Sequence, residues 1–297
     1  MLLRIAFLVS ALLQVTPAWA AASGNQTIPA GCHAVGSKFS IATPVMAQKV
    51  AFPPTQLQVR TPVAPVPLPS GDRNYLIYEL HLSNLAQDPF SLRAIEVIDA
   101  TSDNGKPLAQ FLEADFELIL RHPGFDAVDD RRRLSPGQSA VAFLCLSFDR
   151  KAPIPHKLRH RVVLGDSYTD GPVIAVRRAP LPVLGRPVTG TDWHPRNGPH
   201  AGSHHRMGLF VAGGIATISR RYAIDWRKSR QGESSSGDPR NVRSYFTYGE
   251  TVLAVADGTV LFALDGMPDN IPRRSQVLNW RFRSPPTPSP AMRSSLI

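Results

Sequence analysis

Several stretches of this chain alternate apolar and polar residues with a period of two, rather than at the three-to-four spacing of an amphipathic helix. Tyr75 to Leu82 and Phe90 to Ile98 are two such runs, separated by the turn-former Asn84 and by Asp88-Pro89. Asp103-Asn104-Gly105 is a turn signal, and Phe116 to Leu120 continues the strand pattern. Leu134-Ser135-Pro136-Gly137 is a turn leading into the apolar run Ala140 to Phe148, and Arg159 to Leu164 and Val173 to Val176 read as further short strands. Strands recur roughly every 10–20 residues with no amphipathic helix between them, so residues 21–180 predict an antiparallel β-sandwich of the immunoglobulin-like sort.

Pro180, Pro182, Pro187 and Pro195, with Gly185 and Gly190 between them, mark residues 181–200 as a linker. The strand pattern then returns. Met207 to Val211, the turn Ala212-Gly213-Gly214 and Ile215 to Trp226 predict a hairpin of two long strands. After a polar loop from Gln231 to Arg243 come Tyr245 to Glu250, Thr251 to Ala256, the turn Asp257-Gly258, and Thr259 to Leu264. Residues 201–271 therefore predict a second antiparallel β domain, and the fold class is all-β. From Pro272 the pattern stops: the last 26 residues hold five Arg, five Pro, five Ser and no acidic residue, the composition of a disordered basic tail over 272–297.

Composition adds a bias in charge. The 297 residues are 43% hydrophobic, enough for packed cores, and 28 prolines against 21 glycines suit turn-rich β-structure. Lys and Arg number 33 against 23 Asp and Glu, a formal net charge of +10 that favours polyanions such as nucleic acid, anionic lipid or an acidic cell-wall polymer. The first residues narrow that choice. Arg4, the apolar run Ile5 to Val15, Pro17 and the small residues of Ala18-Trp19-Ala20 have the layout of a secretory signal peptide over 1–20, cut near Ala20. The apolar run is too short to cross a bilayer, so no transmembrane segment is expected. A secreted or periplasmic protein does not meet chromosomal DNA, which sets nucleic acid aside and leaves peptidoglycan or another anionic envelope polymer as partner.

Cys32 and Cys145 are the only cysteines. In an oxidising compartment they can pair; the alternative is two separate thiols, Cys145 being a core residue of the run Val141 to Leu146. Arg131-Arg132-Arg133, beside Asp126, Asp129 and Asp130, reads as a locally neutralised solvated loop rather than a polymer contact.

Catalytic zinc typically takes three protein ligands, His and carboxylate among them, and keeps a water in the fourth position. Four of the nine histidines fall between His194 and His205. Between Ser203 and Asp225 lie the adjacent His204 and His205 and one aspartate inside Tyr222-Ala223-Ile224-Asp225-Trp226, where a carboxylate is costly to bury without a cation or a hydrogen-bond partner. If the hairpin turn has three residues, His205 stands opposite Arg221 on the face that carries Asp225. A two-residue turn places His204 opposite Ala223 on that same face. The alternative is a polar hairpin rim with Asp225 paired to Arg221 or Arg227.

The stretches Ser203-His204-His205-Arg206, Arg221 to Trp226, and Tyr248-Gly-Glu-Thr-Val-Leu-Ala-Val-Ala-Asp-Gly-Thr-Val260 resemble the lysostaphin/LytM-type zinc metallopeptidases, over about Ser203 to Asn270. The β-rich region before them is similar to the immunoglobulin-like domain of some exported members. The resemblance implies an exported zinc endopeptidase acting on peptidoglycan cross-links. In that family a His and an Asp four residues apart bind zinc with the second histidine of a later His-x-His motif, whose first histidine helps activate the water. Asp225 matches the aspartate, whereas Arg221 stands where the histidine belongs. His205 or His204, reached across the hairpin, is the expected replacement. No histidine follows His205, so the His-x-His half is missing and no catalytic residue is assigned. The expectation is a C-terminally truncated member with an incomplete LytM-type sheet, inactive in this chain. The alternative is a non-catalytic envelope-binding or regulatory module.

Overall fold

The computed structural model describes residues 27–35, 49–102, 106–124, 129–260, 263, 265, 266 and 268–272. The signal-peptide segment, the Asp103–Gly105 turn, Asp126 and the basic tail beyond Pro272 lie outside the described residues.

The strands run in chain order as β1 His33–Val35, β2 Lys49–Val50, β3 Leu57–Arg60, β4 Pro67–Ser70, β5 Arg73–Asn84, β6 Phe90–Asp99, β7 Pro107–Leu112, β8 Leu120–Arg121, β9 Arg133–Leu134, β10 Ser139–Asp149, β11 Lys157–Leu164, β12 Ser167–Asp170, β13 Ile174–Ala175, β14 Trp193–Arg196, β15 Phe210–Ala212, β16 Ile215–Thr217 and β17 Asp225–Lys228. One α-helix, α1 Glu113–Ile119, and a 3-10 turn, Val242–Ser244, complete the described elements. The protein is thus mostly β. Two compact units form: Met1–Leu181 with Pro199–Arg221 (unit 1), and Pro182–Gly198 with Tyr222–Ile297 (unit 2). Composition placed the break in a 181–200 linker; by contacts, the proline-rich stretch groups with unit 2, while the segment after it returns to unit 1.

Unit 1 is a sandwich of two sheets. One has the order β1-β10-β5-β3, with β4 on β5 and β8 on β10; the other has β2-β12-β11-β6-β7, with β13 on β11 and β9 on β6. Leu76, Tyr78, Leu80 and Leu82 of β5 point into one shared core with Ile95 and Val97 of β6 and Val162 and Leu164 of β11. These are the period-two positions of the sequence pattern, one face of each strand meeting the other sheet. The expected runs at 75–82, 90–98, 140–148 and 159–164 all coincide with strands, and 173–176 does so only at Ile174–Ala175. The turn at Leu134–Gly137 also forms: Gln138 donates to the Ser135 carbonyl, and Gly137 takes a φ of 73°.

One strand expectation is corrected. Phe116 to Ile119 belongs to α1, not to a strand. Asp115 accepts the Leu112 N–H at 2.7 Å, a helix-starting interaction, and Phe116 and Ile119, three apart, reach the core from one helical face. The arginine loop is neutralised, as its sequence suggests, largely by α1: Arg131 pairs with Glu117, and Arg132 with both Glu113 and Asp130. Cys32 and Cys145 form a disulfide across 113 residues, joining the turn before β1 to β10.

The second β domain takes another form. The hairpin is only β15–β16, three residue pairs closed by Gly213-Gly214 at φ 56° and 79°, and its register gives a two-residue turn. In unit 2, β17 pairs with β14, so that Asp225 lies opposite Arg196 and Lys228 opposite Trp193. The expected strands at 245–250 and 251–256 are absent, and 259–260 is not strand either. Val252 and Val260 are 76% and 82% exposed: with no strand pairing there, the apolar run has no core to enter. What remains of the pattern is a pair of backbone bonds, Gly185 N–H to the Val255 carbonyl and Leu253 N–H to the Pro187 carbonyl.

Candidate functional site

The segment Pro199–Arg221 is held against the outer face of the β5–β10 sheet within unit 1. That face is unusual. Register pairs Phe143 with Glu79, Cys145 with Ile77 and Val141 with His81, so an apolar patch on β10 adjoins an acid and a histidine on β5. Ile218 buries against Val141 and Phe143, with Met207 and Leu209 packed alongside. Gly31, at a φ of 77°, sits so close to Ala201 that a side-chain carbon there would meet the alanine Cβ at 2.8 Å. Any side chain at this position would push the segment away from the Cys32 turn.

Glu79 is the fixed point beneath this segment. It is 2% exposed as a side chain and receives two guanidiniums. Arg206 binds Glu79 Oε1 and also donates to the backbone carbonyls of Tyr78 (2.9 Å) and Leu144 (3.3 Å). Arg221 donates through Nε to Glu79 Oε1 at 3.0 Å and through its Nη2 to Oε2. A buried carboxylate with two arginines is stable only as a set, because any member left alone is an uncompensated charge. Burial, and after it the nearby Arg60 guanidinium, lower the pKa of the neighbouring His81 below its ordinary value; Glu79 acts the other way and Arg221 adds to the lowering.

His204 and His205 sit on a turn directly before Arg206. The His205 N–H donates to Ser203 Oγ at 3.2 Å, and the Met207 N–H to the Ser203 carbonyl at 2.9 Å. Their imidazole rings lie 4.3 Å apart between centroids. His205 is buried and His204 exposed. The anchored arginine thus fixes the backbone that carries both imidazoles.

Asp225 belongs to unit 2. It opens β17, its side chain is exposed, and Asn197 donates to its Oδ2 at 2.7 Å. The expected route by which a hairpin brings histidine and aspartate to one face is therefore wrong on two counts. The β15–β16 ladder ends at Phe210 and Thr217, short of both partners, and β17 pairs with β14 instead. The reason lies in the segment between: Ile218 goes into the apolar patch and Arg221 to Glu79, turning the chain out of the ladder. Nor is Asp225 a buried carboxylate in an apolar strand, so burial gives it no need of a cation. The Arg221 that replaces the expected histidine is engaged with Glu79.

Three other histidines have partners of their own. His160 Nε2 bonds Tyr78 Oη at 2.8 Å inside the sandwich, and burial lowers its pKa to about 4 while raising that of Tyr78. His122 bonds the Arg131 carbonyl, and His200 that of Ala201. Glu79 escaped the sequence reading, although a signal was present. Glu79 and His81 break the apolar character of the outward positions in an otherwise apolar strand, a pattern that asks for partners from elsewhere in the chain.

Comparison with known protein families, with curated proteins and with solved structures finds no match to this chain.

Proposed function

We propose that the protein is an exported member of the lysostaphin/LytM-type zinc metallopeptidases, a family acting on peptidoglycan cross-links, which keeps part of the zinc site and is inactive in this chain because the His-x-His half is absent. The reading rests on one observation above the others: two imidazoles, 4.3 Å apart, on a turn whose next residue is locked to a buried glutamate. Imidazole nitrogens and a carboxylate such as that of Asp225 are the donor types zinc accepts. His205 or His204 and Asp225 are the proposed ligands, and zinc would supply Lewis acidity there. Three further features support the reading: the resemblance of Arg221–Trp226 and Tyr248–Val260 to the family's segments, the two-sheet β-sandwich of unit 1, and the Cys32–Cys145 disulfide, which suits a secreted or periplasmic protein.

The alternative, a non-catalytic envelope-binding or regulatory module, is favoured by the lack of any histidine after His205, which leaves this chain without the family's water-activating residue.

Zinc content of the purified full chain tests the metal reading. Near-stoichiometric zinc is expected in the wild type, lost in Asp225→Ala, with His204→Ala and His205→Ala showing which imidazole binds. A wild type that holds no more zinc than Asp225→Ala overturns it. Incubation with purified peptidoglycan tests the rest: sedimentation of the protein with the polymer, without release of peptides, is expected. Released cross-link peptides would establish an active enzyme, and failure to sediment would remove peptidoglycan as partner.

A further inference from the structure

At one end of the unit 1 sandwich a cavity of about 870 Å³ opens beside the ends of β1, β5, β6 and β10, under the loop from Arg150 to His156. Its floor is apolar, with Val35 and Phe148 from the buried core and Leu108 and Ile154 packed against them. Its rim is cationic, carrying Arg150 and Arg178. Arg178 Nη2 donates to the Ile154 carbonyl at 2.7 Å, and Arg150 Nη1 reaches the Gly71 carbonyl at 3.4 Å. Each guanidinium is thus steadied by a neutral partner that leaves its charge uncompensated. The one carboxylate lining the cavity, Asp99, is turned into its own loop, its two oxygens accepting from the Thr101 N–H and the Ser102 hydroxyl, each at 2.8 Å.

A cavity of this size suits a small ligand. Apolar floor and cationic mouth together select the ligand's shape: a hydrocarbon body to lie against the partly buried Leu108 and Ile154 over the Val35–Phe148 core, and an anionic head for the guanidiniums. A neutral apolar ligand would leave the arginines unused, and a highly charged polymer would leave the floor wet. We propose that this cavity binds a single-headed anionic amphiphile, its alkyl chain on the Val35–Phe148 floor and its carboxylate or phosphate at Arg150 and Arg178. Its lining shares no residue with the proposed zinc ligands, and the proposal does not depend on them.

Calorimetric titration of the full chain with decanoate, decyl phosphate and decanol tests the proposal. Saturable binding of at least one anion is expected, weakened about tenfold or more by Arg150→Gln with Arg178→Gln and by added salt. Decanoate against decyl phosphate distinguishes a carboxylate from a phosphate head. Ala152→Trp, which fills the cavity from its wall and leaves both arginines in place, is expected to abolish binding at an unchanged melting temperature. If the double variant proves misfolded, Ala152→Trp and the salt dependence decide. Decanol bound as tightly as the anions, affinity unchanged in a folded double variant or in Ala152→Trp, or no saturable binding of either anion would each overturn the proposal.

Discussion

The two units of this protein are built on different physical terms. Every apolar residue that is buried among the described residues belongs to unit 1, from Val35 to Val176 and then Ile218. Among the described residues unit 2 buries no apolar one; its buried residue is Lys228, whose ammonium meets Glu250 and lies 5.5 Å from the centre of the Trp193 ring. Elsewhere unit 2 is joined by polar contacts: Arg230 with Asp192 at 3.5 Å and over the Phe246 ring at 4.8 Å, and Tyr248 with Asp269 at 3.0 Å. Apolar burial contributes roughly 1.5–3 kcal/mol per large side chain, whereas an exposed ion pair contributes about 0–1 kcal/mol. Unit 1 therefore has the means to hold one conformation, and unit 2 is marginal. The contrast teaches where precision is stored. The turn bearing His204 and His205 belongs to the well-packed unit, and Asp225 to the weakly packed one.

The largest effect that sharpens this contrast is expected from the disulfide. Replacing Cys32 and Cys145 by serine should lower unfolding stability in urea by about 4–5 kcal/mol on the chain-entropy account, given the 113-residue separation. A shift under about 1 kcal/mol would mean that the sandwich holds its first strand without the crosslink.

Next comes Glu79→Gln, which strands Arg206 and Arg221 over a buried neutral group. A loss of about 3 kcal/mol is expected, accompanied by faster amide exchange over residues 203–221. Unchanged exchange there would break the idea that this carboxylate orders the histidine turn.

A third test uses pH. His160 is neutral in the folded protein because burial depresses its pKa to about 4, while the unfolded chain titrates near 6.5. Between those values the unfolded state binds more protons, so stability falls as pH drops through this window and is unaffected above it. The loss approaches roughly 3 kcal/mol towards pH 4, and His160→Gln should flatten the dependence in urea midpoints. A dependence that survives this substitution would assign it to other groups.

The smallest effect belongs to unit 2. Val252→Ser and Val260→Ser are expected to change stability by no more than about 0.5 kcal/mol, since both side chains are already in water. A larger loss would show that unit 2 has a core these residues enter.

Strand positions in the sandwich were legible because alternation is a local property. A residue's neighbours two places away tell which side of a sheet it faces, and Tyr75–Leu82 and Phe90–Ile98 carried that information, while Ala140–Phe148 was legible as a continuous apolar run after a turn. Phe116–Leu120 was misread because so short an apolar run fits either period, and the Asp115 bond to the Leu112 N–H decides for helix. Thr251–Ala256 is an apolar run of strand length too, yet forms no strand, because a strand needs a partner and a local apolar pattern does not supply one.

The candidate site was legible as an inventory and not as an arrangement. His204, His205 and Asp225 stood out by residue type, and Arg221 as the departure from the resembled pattern. That Arg221 reaches Glu79, 142 positions away, and so draws the chain out of the hairpin, has no local signature. The order of residues determined by itself which segments pair as strands in the sandwich, since that follows from short-range alternation and turn chemistry. Which buried acid anchors the histidine turn, and that Asp225 joins a different strand pair, only the tertiary structure decided, because a buried charge finds its counter-charge through space and not along the chain.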